Sequence, residues 1–364
     1  MTAPAPLLLH VFSTFAVGGP QQRFVTLATA FGTRYRHIVA AMDANLACAA
    51  RLPAGLDVRC EPIAATKGAV TSTIRNTRRF RQHLRAIAPD ALVTYNWGAT
   101  EWALANIPRL ARHIHVEDGF GPEERDRQLA RRVLLRRLAL ARSTIVVPSQ
   151  TLWRIATGSW RLDPRRVRYV PNGIDLIRFS GRSPPADEPV IGTVAVLRPE
   201  KNLSRLLRAF RLVVDAMPAQ LVIAGDGPER DRLHALAAEL GLSGTVRFAG
   251  HLDDPAALYR DLDVFALASD TEQMPLSVIE AMASGLPIAA TAVGDVGAMV
   301  AAENQAFVAP LDDAALAAAI LALAQDKALR LSVGAANRAK AEQEFGLETM
   351  VATWAALFDG TAIG

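Results

Sequence analysis

Cysteine and lysine are both scarce in this chain of 364 residues, which carries Cys48 and Cys60 and lysines at 67, 201, 327 and 340 beside 36 arginines. Two cysteines are too few for a disulfide framework, and no C-x-x-C pair or Cys/His cluster marks a metal site. A reducing compartment follows, and the expected location is cytoplasmic. Long hydrophobic runs are missing: the longest nearly apolar stretch, residues 314–324, has 11 residues, short of the ~18 to 20 that cross a bilayer. The N-terminal MTAPAPLLLHVFSTF has no basic residue ahead of its apolar run and no small-residue cleavage site, so it reads as a first strand rather than a signal peptide. The spacing G-x-G-x-x-G is also missing. Gly18-Gly19 lacks it, and Gly225-Asp226-Gly227 ends on Arg230 where a third glycine belongs, which disfavours hydride transfer on a dinucleotide.

What is there is a soluble globular composition, 51% apolar and 21% charged, at a length of two or three domains. The net charge of +4 hides an asymmetry: residues 1–180 hold 26 Lys+Arg against 12 Asp+Glu, and residues 181–364 hold 14 against 24. A basic half suits an anionic partner such as a membrane surface, a nucleic acid or a phosphorylated substrate. Nucleic acid is disfavoured because no aromatic stacking module accompanies the charge.

Short apolar runs alternate with amphipathic stretches throughout. Strands are expected at 7–12, 37–41, 91–95, 113–116, 144–147 and 167–170, then at 190–196, 220–224, 245–248, 264–267, 287–290 and 305–308. Helices are expected at 20–31, 73–87, 99–106, 124–141 and 149–157, then at 203–216, 228–240, 254–260, 276–284, 313–325, 328–344 and 347–358. Such alternation predicts βα units on parallel sheets. The run Ser180-Gly-Arg-Ser-Pro-Pro-Ala-Asp-Glu-Pro189 reads as a linker. The expected fold class is therefore α/β, with two Rossmann-like domains, 1–180 and 181–345, facing each other across a cleft, and a last helix in 346–364. Ligands of such sheets bind beyond the carboxyl ends of the strands.

Loops after strands carry the chemistry. Gly18 and Gly19 precede a helix whose first amides are open to an anion. Lys201 stands just before a helix that Asn202 caps, and a compact ammonium there suits a phosphate. The densest segment runs from Ser269 to Pro287. Pro275 fits a helix start that exposes the Leu276 and Ser277 amides. Glu272 and Glu280 are spaced near ~12 Å, more than a glycosidase pair needs, so each is expected to bind a separate set of hydroxyls. His115 closes a strand of the basic half and is placed to bind or donate a proton.

These residues resemble the retaining nucleotide-sugar glycosyltransferases of family 4, of the two-Rossmann-domain type called GT-B. The likeness runs through Gly18-Gly19, Pro171-Asn172-Gly173-Ile174-Asp175, Arg198-Pro199-Glu200-Lys201-Asn202, Ala224-Gly-Asp-Gly-Pro228 and Glu272-x7-Glu280-Ala-Met-Ala-x-Gly285-x-Pro287. It implies transfer of a sugar from a nucleoside diphosphate sugar to a hydroxyl of a glycan, lipid-linked or small-molecule acceptor, with no metal and no cofactor beyond the sugar nucleotide as co-substrate. It implies that Lys201 binds the donor diphosphate, Glu280 the ribose, and Glu272 the sugar hydroxyls. Met274 and the Leu276 and Ser277 amides belong with these donor ligands. Gly18 and Gly19 approach the diphosphate, His115 faces the reacting sugar, and Gly250, His251 and Leu252 take the base. Asn96, Glu117 and Asp118 are assigned to the acceptor side. The last helix is expected to cross back to the first domain.

Two departures stand out. The family arginine that partners the lysine is replaced by Val196, and strand alternation suggests Arg198 as its substitute. The family's His-x-Glu-His ends here on Asp118. Catalysis is expected to be electrostatic, with Lys201, Arg198 and helix-end amides stabilising charge on the departing diphosphate. Arg75, Arg78, Arg79, Arg81 and Arg85, and then Arg131, Arg132, Arg136 and Arg137 interleaved with Val133, Leu134 and Leu138, suit either a solvated helix face or attachment to an anionic membrane. The alternatives are an epimerase or phosphorolytic enzyme of the same architecture, and an inactive donor-binding or scaffolding subunit, for which Val196 argues.

Overall fold

Leu7–Phe12, β1 of the fold, has the sequence LLLHVF and is buried along nearly its whole length, as a strand covered on both faces must be. The structure, a computed structural model, describes residues 4–63, 65, 70–120, 124, 128–183 and 188–361. Lys67 and residues 184–187 of the expected linker lie outside these. Met1–Pro171 together with Met350–Gly364 form one unit, and Asn172–Thr349 form the other.

In the first unit β1 is followed by α1 (Gly19–Phe31), β2 (Arg36–Ala41), β3 (Val58–Pro62), α2 (Val70–Ile87), β4 (Ala91–Tyr95), α3 (Thr100–Ala105), β5 (Arg112–Val116), α4 (Ala130–Leu140), β6 (Thr144–Val147), α5 (Gln150–Arg154) and β7 (Val167–Tyr169). The strands pair in parallel in the order β3-β2-β1-β4-β5-β6-β7. The order reverses between β1 and β4, which opens a crevice at their carboxyl ends.

In the second unit β8 (Val190–Val194), α6 (Leu203–Ala216), β9 (Gln220–Ala224), α7 (Arg230–Glu239), β10 (Val246–Gly250), α8 (Ala256–Asp261), β11 (Val264–Leu267), α9 (Leu276–Ala283), β12 (Ile288–Thr291), α10 (Val296–Met299), β13 (Val308–Ala309), α11 (Asp313–Gln325) and α12 (Lys327–Glu344) follow one another. Here the parallel order is β10-β9-β8-β11-β12-β13, and β8 and β11 flank the reversal. Alternate residues feed two cores. Leu221, Ile223, Val264 and Ala266 pack with α6 and α11 on one face, and Val222, Ala224, Phe265 and Leu267 pack with α9 on the other. α13 (Leu347–Asp359) starts in the second unit, but its body belongs to the first, where Phe358 packs edge-on against Phe31 and Tyr35.

Several boundaries differ from expectation for physical reasons. β3 went unanticipated because VRCEP is an edge strand, only partly buried, with charges and a proline that edges tolerate. β8 ends at Val194 instead of 196, and the amide of Arg198 turns back to the carbonyl of Val196. The expected strand at 305–308 is mostly a 3-10 turn, Ala302–Phe307. The helix placed at 124–141 covers Ala130–Leu140 among the described residues, and the one at 149–157 passes into a π turn, Ile155–Ser159. Asn172 to Phe179 group with the second unit, ahead of the composition break at 180–189, because Asn172 bonds the carbonyl of Met274 and Phe179 packs edge-on against Tyr259.

Candidate functional site

The loops leaving β8 and β11 meet at the carboxyl edge of the second sheet. The β8 loop ends in a 3-10 turn, Pro199–Lys201, and Asn202 then adopts a left-handed conformation (φ 40°, ψ 49°) that asparagine tolerates better than other side chains. From there its side chain accepts from the Arg205 amide at 3.2 Å and caps α6. The same side chain donates to Asp270 at 3.1 Å, the Asp270 amide donates to the carbonyl of Glu200, and Arg205 bonds both Asp270 and the carbonyl of Ala268. The two loops are thereby stitched together, and the lysine ahead of Asn202 is held over the β11 loop.

The result is an ion pair. Lys201 Nζ lies 2.6 Å from Glu272 Oε1, with the side chains 25% and 9% exposed. The buried Ser269 hydroxyl donates to the same carboxylate oxygen at 2.7 Å. Behind Glu272 stands Gly294, with φ 52°, where a Cβ would lie 2.1 Å from the carbonyl oxygen of Glu272. Only glycine fits so close an approach at that backbone angle. On the other side Gly225, with φ 133°, leaves no room for a Cβ against the carbonyl of Ala195, so the Ala224-Gly-Asp-Gly loop lies flat on the β8 loop.

α9 opens next to this pair. Pro275 is its N-cap residue, and helix geometry leaves the Leu276 and Ser277 amides without intrahelical acceptors. Met274 is buried, and its carbonyl and sulfur are held by Asn172. Further along, Glu280 accepts from the phenol of Tyr259 at 2.7 Å. Burial pushes its carboxyl above the usual range, against the pull of Tyr259 and Arg178. At the end of β10, Gly250 takes φ 69° and its carbonyl accepts from the Gly225 amide. His251 is exposed, 3.4 Å from Asp253, and Leu252 is half-buried.

Arg198 is not held with Lys201. β8 stops before Val196, so strand alternation does not reach residue 198. Its guanidinium, 54% exposed, lies 4.0 Å from Glu200. It lines a pocket of about 140 Å³ with Asn202, Ser204, Glu229, Arg232 and Asp270.

The first unit treats its site residues differently. Gly18 is the N-cap residue of α1, and Gly19 has nothing within 4 Å where a Cβ would point, so its surface is open. His115, expected to face a substrate, is fully buried. Its Nδ1 lies 2.8 Å from the Thr94 hydroxyl and its Nε2 3.5 Å from Glu117. The same hydroxyl reaches His113, whose pKa burial lowers to about 3 with the help of His115 and Arg109. Glu117 is equally buried, 3.5 Å from Arg136. Asp118 forms a two-point ion pair with Arg23 at 2.6 and 2.8 Å, and its amide donates to Asn96, itself at φ 56°. Asn96 and Asp118 are thus bonded to each other and Asp118 to Arg23, while Glu117 Oε1 is buried without a hydrogen-bond partner among the described residues. His115 lies in β5, an inner strand of a parallel sheet covered on both faces, and Glu117 follows that strand directly, which is why both are buried.

Residues overlooked in the sequence also build the site. Gly294 lies in the loop three residues past the end of β12, and a glycine soon after a strand was the available signal. Tyr259 and Asp270 act across the chain and left none.

Comparison with known proteins identifies the family and the fold. The family model described as Glycosyltransferase Family 4 matches residues 17–178, and the one described as Glycosyl transferases group 1 matches residues 177–340. The chain is similar to the lipopolysaccharide core biosynthesis glycosyltransferase LpsE of Rhizobium meliloti, 36% identical over 148 residues, 40% of this chain and 42% of that one. It is 27% identical over 316 residues to a GDP-mannose-dependent monoacylated alpha-(1-6)-phosphatidylinositol monomannoside mannosyltransferase of Corynebacterium glutamicum, 79% of this chain and 78% of that one. The chain spans about half the length of several curated relatives that it matches. Among solved structures, HepE of Anabaena, in complex with UDP and glucose, superposes with a TM-score of 0.79 at 19% identity, covering 98% of this chain and 100% of that one. The two family matches, end to end, and the two parallel Rossmann-like sheets lead to one assignment: the chain belongs to glycosyltransferase family 4, with the GT-B fold.

Proposed function

We propose that this protein transfers a sugar from a nucleoside diphosphate sugar to a hydroxyl of a glycan, lipid-linked or small-molecule acceptor, with retention at the anomeric carbon and without a metal. The observation that carries the reading is the Lys201–Glu272 pair at the point where the second sheet reverses, beside the open amides of α9. An ammonium and helix-end amides suit a diphosphate, and a carboxylate anchored by Ser269 suits sugar hydroxyls. Lys201 binds the diphosphate and Glu272 the transferred sugar. Glu280 binds the ribose, Met274 with Leu276 and Ser277 lines the sugar and phosphate, and Gly250 to Leu252 meets the base largely through backbone.

As the glycosidic bond breaks, negative charge collects on the leaving diphosphate. Groups fixed in advance on that charge stabilise the transition state more than the ground state. The departing phosphate oxygen takes the acceptor proton as the acceptor attacks the same face, so no side-chain base is required.

The test is a thermal-shift screen against nucleoside diphosphates and their sugars, followed by acceptor screening. A donor at a hundred times its Kd raises stability by about 2.7 kcal/mol, and free nucleoside diphosphate should then appear only with acceptor. Release that needs no acceptor, or interconversion of donor sugars, favours the epimerase. A donor shift without turnover on any acceptor favours the inactive subunit, and no shift with any nucleotide overturns the reading.

A second reading concerns attachment to the cytoplasmic face of an anionic membrane. No described helix is long and apolar enough to cross one. On α4, however, Leu134 and Leu138 are 56% and 60% exposed beside the exposed Arg131 and Arg137. Leu134, Leu138 and Leu162 line an open cleft of about 390 Å³ with Arg137 and Arg161. Apolar side chains flanked by arginines suit a bilayer of acidic lipid. Co-sedimentation with vesicles containing phosphatidylserine should be strong at low salt and lost at high salt. Equal behaviour with neutral vesicles would end this reading.

A further inference from the structure

Tyr259 in α8 is fully buried, and its phenol points at α9. Oη lies 2.7 Å from Glu280 Oε2 and 3.3 Å from the carbonyl oxygen of Ser277, in the first turn of that helix. A carboxylate at the shorter distance is the stronger acceptor. The ring cannot swing away, because Phe179 packs edge-on at 5.7 Å and Phe265 lies at 5.8 Å, within the core that also holds Val278 and Ile279. Oη is therefore placed by packing, not by the carboxylate it meets. Among the described residues Glu280 Oε2 takes this bond, and Oε1 takes no hydrogen bond from the protein.

The surroundings of Glu280 otherwise oppose its charge. Burial is the largest influence and drives the carboxyl up; Tyr259 and Arg178 pull it down, and Asp254 pushes it up again. Arg178 gives limited help, since it is half-exposed and already bonded to Asp254 at 2.9 Å. The phenol is thus the close donor that favours the carboxylate over the neutral acid.

We infer that Tyr259 is a positioning residue for donor binding: its phenol holds Glu280 as a carboxylate in one orientation, with Oε1 turned out to accept from the hydroxyls of a nucleotide ribose. This rests on the donor reading above and adds to it a residue that no motif contains. The sign follows directly. The carboxylate of Glu280 is a stronger acceptor than its neutral acid, so nucleotide affinity falls as pH drops through its raised pKa. Removing the phenol removes a bond made to the charged form, so that midpoint moves to higher pH.

The experiment uses Tyr259→Phe, which keeps the ring and its packing, with Glu280→Gln as a reference. UDP and GDP binding is measured by calorimetry from pH 5 to 8.5, and the Glu280 carboxyl is followed without ligand by carbon NMR, assigned through Glu280→Gln. The expected results are an upward shift of the Glu280 midpoint by about one pH unit in Tyr259→Phe and binding about tenfold weaker on the acid side. The difference should shrink at pH 8.5, and the acid limb should be absent in Glu280→Gln. An unchanged carboxyl midpoint overturns the inference. So does a loss of affinity that is the same at every pH, which a merely structural role would give. If the wild type binds neither nucleotide, the donor reading fails separately, and the carboxyl titration still decides whether Tyr259 controls Glu280.

Discussion

Lys201→Ala will lower kcat/KM for transfer by a hundredfold or more while leaving the protein folded. A hundredfold is roughly 2.7 kcal/mol of transition-state stabilisation, within the range that removing one preorganised partner of a developing oxyanion has cost in other enzymes. The loss is expected to be this large because, among the described residues, no other cation pairs with Glu272. Val196 supplies no charge, and the Arg198 guanidinium lies by Glu200 instead of Glu272. Folding should be affected little, since the ion pair is partly exposed and such pairs contribute about 1 kcal/mol or less. Lys201→Arg should not rescue fully, because a planar fork replaces a compact ammonium that Glu272 and a phosphate must share. Steady-state kinetics on folded Lys201→Ala would settle the matter, and near-normal turnover would remove the lysine from the mechanism.

The second large effect is on stability and lies in the first unit. Arg136→Ala should cost about 3 to 5 kcal/mol, the usual result of stranding a buried charge. Arg136 is fully buried and bonds both oxygens of the buried Glu124 at 3.0 and 3.1 Å. It also lies 3.5 Å from Glu117, and its guanidinium stands over the rings of Trp160, Trp97 and Phe120 at 4.7, 5.0 and 5.4 Å. Burial alone would raise the Glu124 carboxyl, but the hydrogen bonds and charge of Arg136, with the Leu129 amide and Arg132, hold it below its usual range. A depressed carboxyl contributes stability above its unfolded pKa and loses it as pH falls through the folded value. The gap between wild type and Arg136→Ala should therefore narrow at acid pH, where the stranded Glu124 carboxyl takes a proton. Denaturant unfolding at pH 7 and pH 4.5 reads both effects, and a variant within 1 kcal/mol of wild type at pH 7 would refute the account.

The same arginine shows where sequence reading ran out. In the chain it belongs to a basic cluster with Arg131, Arg132 and Arg137, all equally compatible with water or a membrane. In the folded unit Arg136 is interior and Arg132 pairs with Glu124, while Arg131 and Arg137 stay outside. Which way each turns depends on Trp97, Glu117 and Trp160, brought together by separate strands and turns.

Strands such as LLLHVF and VFAL were legible because a parallel strand covered on both faces is apolar at nearly every position, and the helices between them because one apolar face repeats every three to four residues. Lys201 and Glu272 were legible as candidates too, as a rare lysine and a carboxylate in loops after strands, and so was Glu280 as a carboxylate one turn into α9. The pairing of Lys201 with Glu272, the phenol on Glu280, the tight approach of Gly294, and the burial of His115 were not. Each joins residues from different loops or strands, and only the packing of the sheet brings such groups within hydrogen-bond reach.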